Sequence, residues 1–150
     1  NKQTKPNQSI MISHPELWTF ATTWYRYLDV HAPLESFRSL VTNDVEFVFP
    51  EATVKGFEGY TGWYNTVVGI FFDEVHTLKT ADIQIQSDNR ATAHVVVNWQ
   101  ASTWQAPNAS STRFKMDADQ TWDIVKTDSG LQIARYVVNK MDYEAGSCKL

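Results

Sequence analysis

The sequence predicts a single α+β domain in which helices come first and one long antiparallel sheet follows. Two patterns support this prediction. Residues 71–143 read as long strands in series, rich in β-branched and aromatic side chains, and the segment before them carries aromatic residues at helical spacing. Helices followed by strands are typical of α+β domains. A sheet curled around such helices encloses one deep apolar cavity, so we expect the chain to hold a small hydrophobic molecule.

The length of 150 residues suits one domain with its own hydrophobic core. We place this domain at residues 13–143, between a flexible N-terminal segment at 1–12 and a C-terminal tail at 144–150. No internal repeat and no low-complexity segment divides it further.

Charge and hydropathy exclude several classes of partner. The net charge of -4 at pH 7, with no run of lysines or arginines, argues against nucleic acid and anionic membranes. No apolar run approaches the roughly 20 residues of a membrane-spanning helix. We therefore expect a cytoplasmic protein, and leave secretion open because the sequence begins at Asn1 rather than Met.

The first helix is predicted from a capping box. Ser13 and Glu16 have the spacing at which two side chains satisfy the first backbone N–H groups of a helix, and Pro15 suits the first turn. One stripe at helical spacing is apolar, whereas Tyr25 and Asp29 share the stripe beside it. The residues expected to be buried are Leu17, Phe20, Ala21, Trp24 and Leu28.

Two further helices and one strand are expected before residue 71. Ala32-Pro33 ends the first helix, since the residue before proline avoids helical backbone angles, and a short second helix should run to about Val41. Alternation from Val45 indicates a strand that ends at Pro50. Three glycines then form a flexible entry to a third helix at 63–70.

Four strands follow, separated by short polar turns rich in Asn, Asp, Ser, Pro and Gly. Successive short connections imply an antiparallel meander. The sequence leaves open whether the face of Val97 and Trp99 or the face of His94 and Asn98 lines the cavity. The expected strands are 74–86, 90–104, 113–125 and 131–142.

The order of these elements, together with several short phrases, resembles the nuclear transport factor 2-like superfamily. The SnoaL-like and scytalone dehydratase-like branches are the most similar. The resemblance covers residues 13–143 and implies a cone-shaped α+β barrel, with three helices packed in a strongly curved, mainly antiparallel sheet. The phrases that carry it are residues 57–63 at the third helix, 73–76 entering a strand, 120–122, and 130–135.

The resemblance also implies a set of catalytic residues. His76 matches a pocket histidine on the strand after the third helix, and Asp117 stands where scytalone dehydratase-like proteins have a second histidine. Asp29 approximates an acidic residue late in the first helix. We expect His76 to transfer the proton and Asp117 to orient it or share the proton, because a carboxylate beside an imidazole prepares it for acid–base work.

The predicted substrate-binding residues are mostly aromatic. Tyr25 and Asn139, the latter at the asparagine position of the family's last strand, would position substrate oxygen atoms together with Asp29. Aromatic side chains would complete the pocket, namely Tyr60, Trp63, Tyr64 and Trp99.

No metal and no cofactor are expected, since the four histidines show no metal-ligand spacing. We also expect no covalent nucleophile, since no GxSxG or Cys–His pattern occurs. The predicted function is a cofactor-independent lyase, isomerase or cyclase that uses general acid–base proton transfer on a small, apolar, oxygenated substrate. The alternative is a non-catalytic ligand-binding or assembly module. A polar floor in the cavity would favour the enzyme.

A homodimer is expected as well. Val95, Val96 and Val97 place apolar side chains on both faces of one strand, so the outer face of the sheet needs a cover.

Overall fold

The structure, a computed structural model, describes residues 11–150 and confirms the α+β class. Three helices and six strands occur in this range. The helices are α1 (His14–Asp29), α2 (Glu35–Arg38) and α3 (Gly56–Val68), and the strands are β1 (Val41–Val48), β2 (Thr53–Lys55), β3 (Phe72–Ser87), β4 (Arg90–Thr103), β5 (Thr112–Thr127) and β6 (Gly130–Tyr143).

The strands form one mixed sheet in the order β2-β1-β6-β5-β4-β3. The long strands β3 to β6 pair antiparallel with their chain neighbours, as their short turns predict, whereas β1 runs parallel to β6. Helix α1 packs against β3 at one edge, and α3 packs against β1 near the other edge. The helices therefore cover one face of the sheet, and the cavity lies between them and this inner face.

Helix α1 begins and ends as its sequence dictates. The capping box forms, because the Glu16 backbone N–H donates to Ser13 Oγ (3.2 Å) and the Ser13 N–H donates to Glu16 Oε1 (3.5 Å). The helix ends at Asp29, and His31 follows with a φ of 51°. This left-handed turn is a common way to end a helix. It leaves Asp29 in the last turn, facing the strand against which α1 packs.

Trp24 is at the centre of the core. Its side chain is 1% exposed, and the rest of the predicted stripe of α1 is buried with it. Rings from α2, β1, α3, β5 and β6 surround it with centroids 5.1 to 6.4 Å away, so it joins the helices to the sheet. These neighbours are Phe37, Phe47, Tyr60, Trp122 and Tyr136.

Several predicted boundaries are wrong before residue 71. Helix α2 ends at Arg38, so the chain is already extended at Val41, where β1 begins. Helix α3 begins at Gly56 rather than at 63, and Gly59, inside the helix, serves packing rather than flexibility. A Cβ atom on Gly59 would lie 3.1 Å from Val54 Cβ, so glycine allows α3 to approach β2 closely. Strand β2 has only three residues and no periodicity to reveal it.

The two predicted terminal segments differ in what can be said of them. The segment 1–12 lies outside the described residues except for Met11 and Ile12, and Ile12 is buried. In the tail 144–150, the Glu144 backbone N–H donates to the Lys115 carbonyl (3.0 Å), and the Leu150 N–H donates to the Tyr143 hydroxyl (3.0 Å). The tail is therefore hydrogen-bonded to residues near the start of β5 and at the end of β6.

Candidate active site in the apolar cavity

A cavity of about 130 Å³ lies between α1, α3 and the inner face of the sheet. Its walls are mostly apolar, and a few polar side chains from α1, β3, β5 and β6 border it. Such a cavity is typical of sites for small molecules, in which a few polar groups fix the ligand's orientation. The apolar walls include Leu28, Val67, Val68, Phe71, Val97 and Val138.

His76 borders this cavity and is paired with an aspartate. His76 Nδ1 lies 2.6 Å from Asp29 Oδ1, and the His76 backbone N–H donates to Asp29 Oδ2 over 3.1 Å. The His76 side chain is 7% exposed. The two bonds hold both oxygens of the carboxylate, so Asp29 has one defined orientation behind the imidazole.

The hydrogen bond to Asp29 also sets the tautomer of His76. An ionised carboxylate accepts only, so Nδ1 carries the proton and Nε2 of the neutral ring keeps a lone pair. The ring is packed between Tyr25, with centroids 4.9 Å apart, and Trp99, with centroids 5.5 Å apart, at interplanar angles of 19° and 11°. An imidazole held by a carboxylate and two aromatic rings is preorganised to accept a proton at Nε2.

Tyrosine and glutamine side chains form a polar floor beside the pair. The Tyr25 hydroxyl donates to Gln120 Oε1 over 2.9 Å, and the indole N–H of Trp122 donates to the same oxygen over 2.8 Å. The Tyr136 hydroxyl lies 3.4 Å from that of Tyr25. Because the Tyr25 proton goes to Gln120, the Tyr136 hydroxyl can donate to Tyr25 or to a ligand in the cavity.

Burial keeps these hydroxyl groups protonated. Desolvation raises the pKa of Tyr25 well above its ordinary value, and the neighbouring Tyr136 adds to this effect. Desolvation likewise raises the pKa of Tyr136 to about 12, against the opposing effect of its hydrogen bond with Tyr25. Both tyrosines therefore remain neutral hydrogen-bond donors at physiological pH.

A second histidine–carboxylate pair lies beside the first, and its carboxylate borders the same cavity. Glu74 lies two residues before His76 on β3, and its side chain is 7% exposed. His31 Nε2 lies 2.5 Å from Glu74 Oε2, and the Trp99 indole N–H donates to Glu74 Oε1 over 3.0 Å. Trp99 thus contacts both pairs, since its ring stacks on His76 while its N–H bonds Glu74.

The prediction that Asp117 pairs with His76 is wrong. Asp117 lies on the outer face of β5, where Lys79 Nζ is 2.5 Å from its Oδ2 and Asn98 donates to its Oδ1 over 2.9 Å. Asp117 does not border the cavity. Side chains alternate between the faces of a strand, so Met116 and Ala118 point inward and Asp117 points outward. The carboxylate beside His76 is Asp29 instead.

Asn139 and Tyr60 are also away from the cavity, contrary to prediction. Asn139 is exposed on the outer face of the sheet, where its amide donates to Asp119 Oδ1 (3.0 Å) and Thr121 Oγ1 (2.9 Å). Tyr60 is fully buried in the aromatic core around Trp24. Burial raises the pKa of Tyr60 well above its ordinary value, so its hydroxyl stays neutral there.

The other predicted aromatic residues line the cavity. Trp63, Tyr64 and Trp99 all border it, as Tyr25 does. The Tyr64 hydroxyl donates to the Ala32 carbonyl over 2.7 Å, and burial raises its pKa to about 12. The face of β4 that carries Val97 and Trp99 is therefore the inner one.

Four polar residues of the site were missed by sequence reasoning. Gln120 shares the inward parity of β5 with apolar neighbours, and that parity is the signal that would have indicated it. Tyr136 carries no such signal, because an irregularity in the pairing of β5 with β6 shifts the alternation of β6 between Ile133 and Tyr136. Glu74 and His31 carry no comparable signal, because His31 follows the end of a helix and the pair is formed only by the packing of α1 on β3.

No group of three or more histidine, cysteine, aspartate or glutamate side chains that could hold a metal ion occurs within residues 11–150. In the same range, none of the helices is long and apolar enough to cross a membrane.

The chain is similar to one known domain family and to several solved structures. Its sequence matches the model of a SnoaL-like domain over residues 16–137. No curated protein sequence matches it. The solved structure of hexachlorocyclohexane dehydrochlorinase LinA Type2 is similar with a TM-score of 0.75 and 14% identity, over 98% of this chain and 97% of that one.

Two further solved structures show the same likeness. LinA-type3 from Novosphingobium barchaimii LL02 has a TM-score of 0.74 at 16% identity, over 98% of this chain and 99% of that one. A protein proposed to be a scytalone dehydratase, from Novosphingobium aromaticivorans, has a TM-score of 0.65 at 16% identity, over 90% of each chain. At these identities the likeness shows the fold, and the predicted cone-shaped α+β architecture is confirmed.

Proposed function

The chain belongs to the SnoaL-like domain family, and a buried histidine that is paired with an aspartate borders its cavity. We propose that the protein is a lyase acting by general acid–base proton transfer. The observation that carries the proposal is the state of His76. Its Nδ1 is committed to Asp29, and its Nε2 makes no hydrogen bond to the described residues. A free basic nitrogen at an apolar cavity is suited to remove a proton from carbon.

The proposed reaction is an elimination. His76 Nε2 takes the proton from a carbon next to a carbonyl or other activating group, and the electron pair of that C–H bond forms the new double bond. The leaving group on the neighbouring carbon departs with its own bonding pair. Asp29 stabilises the imidazolium that forms, since its carboxylate lies 2.6 Å from Nδ1.

The polar floor supplies a hydrogen-bond donor to substrate oxygen. The Tyr136 hydroxyl is protonated at neutral pH, since the ordinary pKa of a tyrosine is about 10 and burial raises that of Tyr136 to about 12. It can therefore donate to the oxygen on which negative charge develops. This arrangement favours catalysis over simple ligand storage, for which an apolar cavity without a polar floor would suffice.

The cavity volume suits a small ring compound. A dry apolar cavity of about 150 Å³ binds benzene, so the volume of about 130 Å³ here suits a single six-membered ring with few substituents. Two similar structures are described as a dehydrochlorinase and a proposed dehydratase, and both names denote removal of a proton and a leaving group from adjacent carbons. The proposed elimination is the chemistry that these two names share.

The test is the conversion of 3-chlorocyclohexanone and 3-hydroxycyclohexanone to cyclohexenone, followed by ultraviolet absorbance. We expect His76→Gln to lower turnover by about 10² to 10⁴-fold, the range for loss of a positioned base. His94→Gln is the matched control, because His94 also pairs with an aspartate (Asp119, 2.9 Å) but lies on the outer face. Equal turnover of wild type and His76→Gln, or no turnover of either compound, would refute the proposal.

A further inference from the structure

We propose that Glu74 selects ring substrates that carry a hydroxyl group, by accepting a hydrogen bond from that hydroxyl inside the cavity. The inference rests on the proposed function in one respect, that the cavity is the substrate site, and it names the class of substrate. It begins from a carboxylate that the elimination at His76 does not use.

Glu74 is an unusual group to place at an apolar cavity. Its side chain is 7% exposed and borders the cavity opposite apolar walls. Burying a carboxylate is unfavourable unless hydrogen bonds satisfy it. Glu51 is the other carboxylate among the described residues that border the cavity, and it lies at the exposed rim.

The hydrogen bonds of Glu74 hold it in place without saturating it. His31 occupies Oε2 and the Trp99 indole N–H occupies Oε1, each with one bond. An ionised carboxylate has about four lone-pair sites, so acceptor capacity remains on both oxygens. A ligand with a hydrogen-bond donor can therefore bond to one of these oxygens, whereas a wholly apolar ligand leaves their remaining lone pairs without a partner.

The backbone beside Glu74 has an uncommon conformation. Asp73, the residue before Glu74, lies in strand β3 with a positive φ of 51°. Its carbonyl accepts a hydrogen bond from Arg113 over 3.0 Å. Non-glycine residues in this conformation gather at functional sites, where the surrounding structure maintains them. His31 has the same φ, but there it ends helix α1.

The position of Glu74 relative to His76 fits a substrate with two functional groups. Trp99 stacks on the His76 ring and bonds Glu74, so the base and the carboxylate are on the same side of the cavity. A ring whose hydroxyl donates to Glu74 would be fixed at one point while another of its carbons faces Nε2 of His76. The bond to Glu74 therefore gives orientation as well as affinity.

The test measures binding rather than turnover, so its outcome is separate from that of the elimination assay. The probes are 4-chlorophenol, 4-chlorotoluene and 4-chloroanisole, titrated by calorimetry at pH 7, where a phenol is protonated. 4-Chlorophenol and 4-chlorotoluene have nearly the same shape. 4-Chloroanisole keeps the ring oxygen substituent but has no O–H group to donate a hydrogen bond. Without a polar partner the phenol should bind more weakly than chlorotoluene, because its hydroxyl loses water.

We expect wild type to bind 4-chlorophenol about tenfold or more tightly than either other probe, as a hydrogen bond to a charged group provides. Glu74→Gln should abolish this preference, and Glu51→Gln, which also removes a carboxylate that accepts from a tryptophan N–H (3.2 Å), should keep it. Melting curves establish that each variant is folded.

Two results would overturn the proposal. One is equal or weaker binding of 4-chlorophenol to wild type, which needs no variant. The other is a preference that survives in Glu74→Gln; if His76→Gln then loses it, the hydroxyl donates to the imidazole instead.

Discussion

Asp29 determines how His76 can react. It accepts two hydrogen bonds from one residue, from the ring Nδ1 and from the backbone N–H, and so fixes both tautomer and ring position. A histidine without this partner could present either nitrogen to the cavity. In this pair Asp29 is the positioning residue and His76 is the reacting residue, so substitutions of the two should affect the kinetics differently.

We predict that Asp29→Asn lowers kcat by about 10² or more with little change in KM, because the amide no longer selects the reactive tautomer. Asp119→Asn is the control, since it removes the carboxylate of the His94 pair on the outer face. Steady-state kinetics, with ¹⁵N NMR of the His76 ring, provides the measurement. An unchanged kcat with an unchanged tautomer would show that Asp29 has no positioning role.

Sequence reasoning indicated His76 and Asp29 individually but paired His76 with the wrong carboxylate. Asp117 and its neighbours alternate between two faces, and the sequence does not say which face is inward when both carry candidates. The pairing of Asp29 with His76 depends on the packing of α1 against β3. Local periodicity contains no information on that contact, which joins residues 47 positions apart.

At the scale of elements, the outer face of β4 and β5 carries carboxylates that are held ionised. Partial burial pushes the pKa of Asp117 upward, but hydrogen bonds from Lys79 and Asn98 and the Lys79 charge together hold it below its ordinary value of 3.8. Asp119 behaves in the same way through Asn139 and His94. The two aspartates therefore stabilise the sheet in their charged form.

We predict that this contribution disappears in acid. A carboxyl whose pKa is lower in the folded protein stabilises the fold above its unfolded pKa and loses that effect as pH falls through the folded value. The free energy of unfolding should therefore drop below about pH 4, and less steeply in the double variant Asp117→Asn, Asp119→Asn. Urea denaturation from pH 6 to pH 2 gives the curves. Asp128→Asn, in the exposed turn after β5, should follow wild type.

Parallel pH curves for wild type and the double variant would mean that the outer ion pairs contribute nothing to stability. That result is the known outcome for many exposed pairs. It would leave the assignment of the outer face intact, since that rests on the alternation of β5.

The long strands were predictable because period-two alternation and turn residues mark them clearly. Each observed strand from β3 to β6 lies within two residues of its predicted ends. The boundary between α2 and β1 was not predictable in this way, since the short segment around Ser39 and Leu40 has no alternation to divide it. Gly59 misled because a glycine that allows close packing looks the same in sequence as one that allows flexibility.

At the scale of the whole molecule, one tryptophan joins the two layers. We predict that Trp24→Ala lowers the free energy of unfolding by about 3 to 5 kcal/mol, because a large cavity opens among five aromatic rings. Trp18→Ala, on the exposed side of the same helix, should change it by less than about 1 kcal/mol. Chemical denaturation measures both, and equal effects would mean that the core is not centred on Trp24.

The homodimer stays a prediction. The outer face of the sheet carries the half-buried Val96 among polar residues, and its aspartates are paired with Lys79 and His94. A face with neutralised charges can be covered by a symmetry mate in an isologous contact. Sedimentation velocity at micromolar concentration should show a species of twice the chain mass. A single monomeric species at that concentration would refute the dimer.

The fold as a whole was predictable from the order of its elements, because helices concentrated in the first half of the chain and a meander in the second leave few ways to close one core. The polar residues of the cavity were less predictable from the sequence. Glu74, Gln120 and Tyr136 meet there from three different strands, and His31 bonds Glu74 from the turn after α1; their convergence is a property of the closed structure. The proposed function therefore depends most on proton abstraction by His76 in the cavity.

Proton abstraction can be measured without any leaving group. Cyclohexanone is a single six-membered ring, the size that a cavity of about 130 Å³ suits. In D₂O each removal of a proton next to its carbonyl exchanges hydrogen for deuterium, which ¹H NMR records as loss of signal. We predict that wild type and His94→Gln exchange this hydrogen faster than buffer alone. His76→Gln should lower the enzyme's exchange rate by a factor of about 10² or more. Exchange at the buffer rate with folded wild type, or equal rates with and without His76, would contradict it.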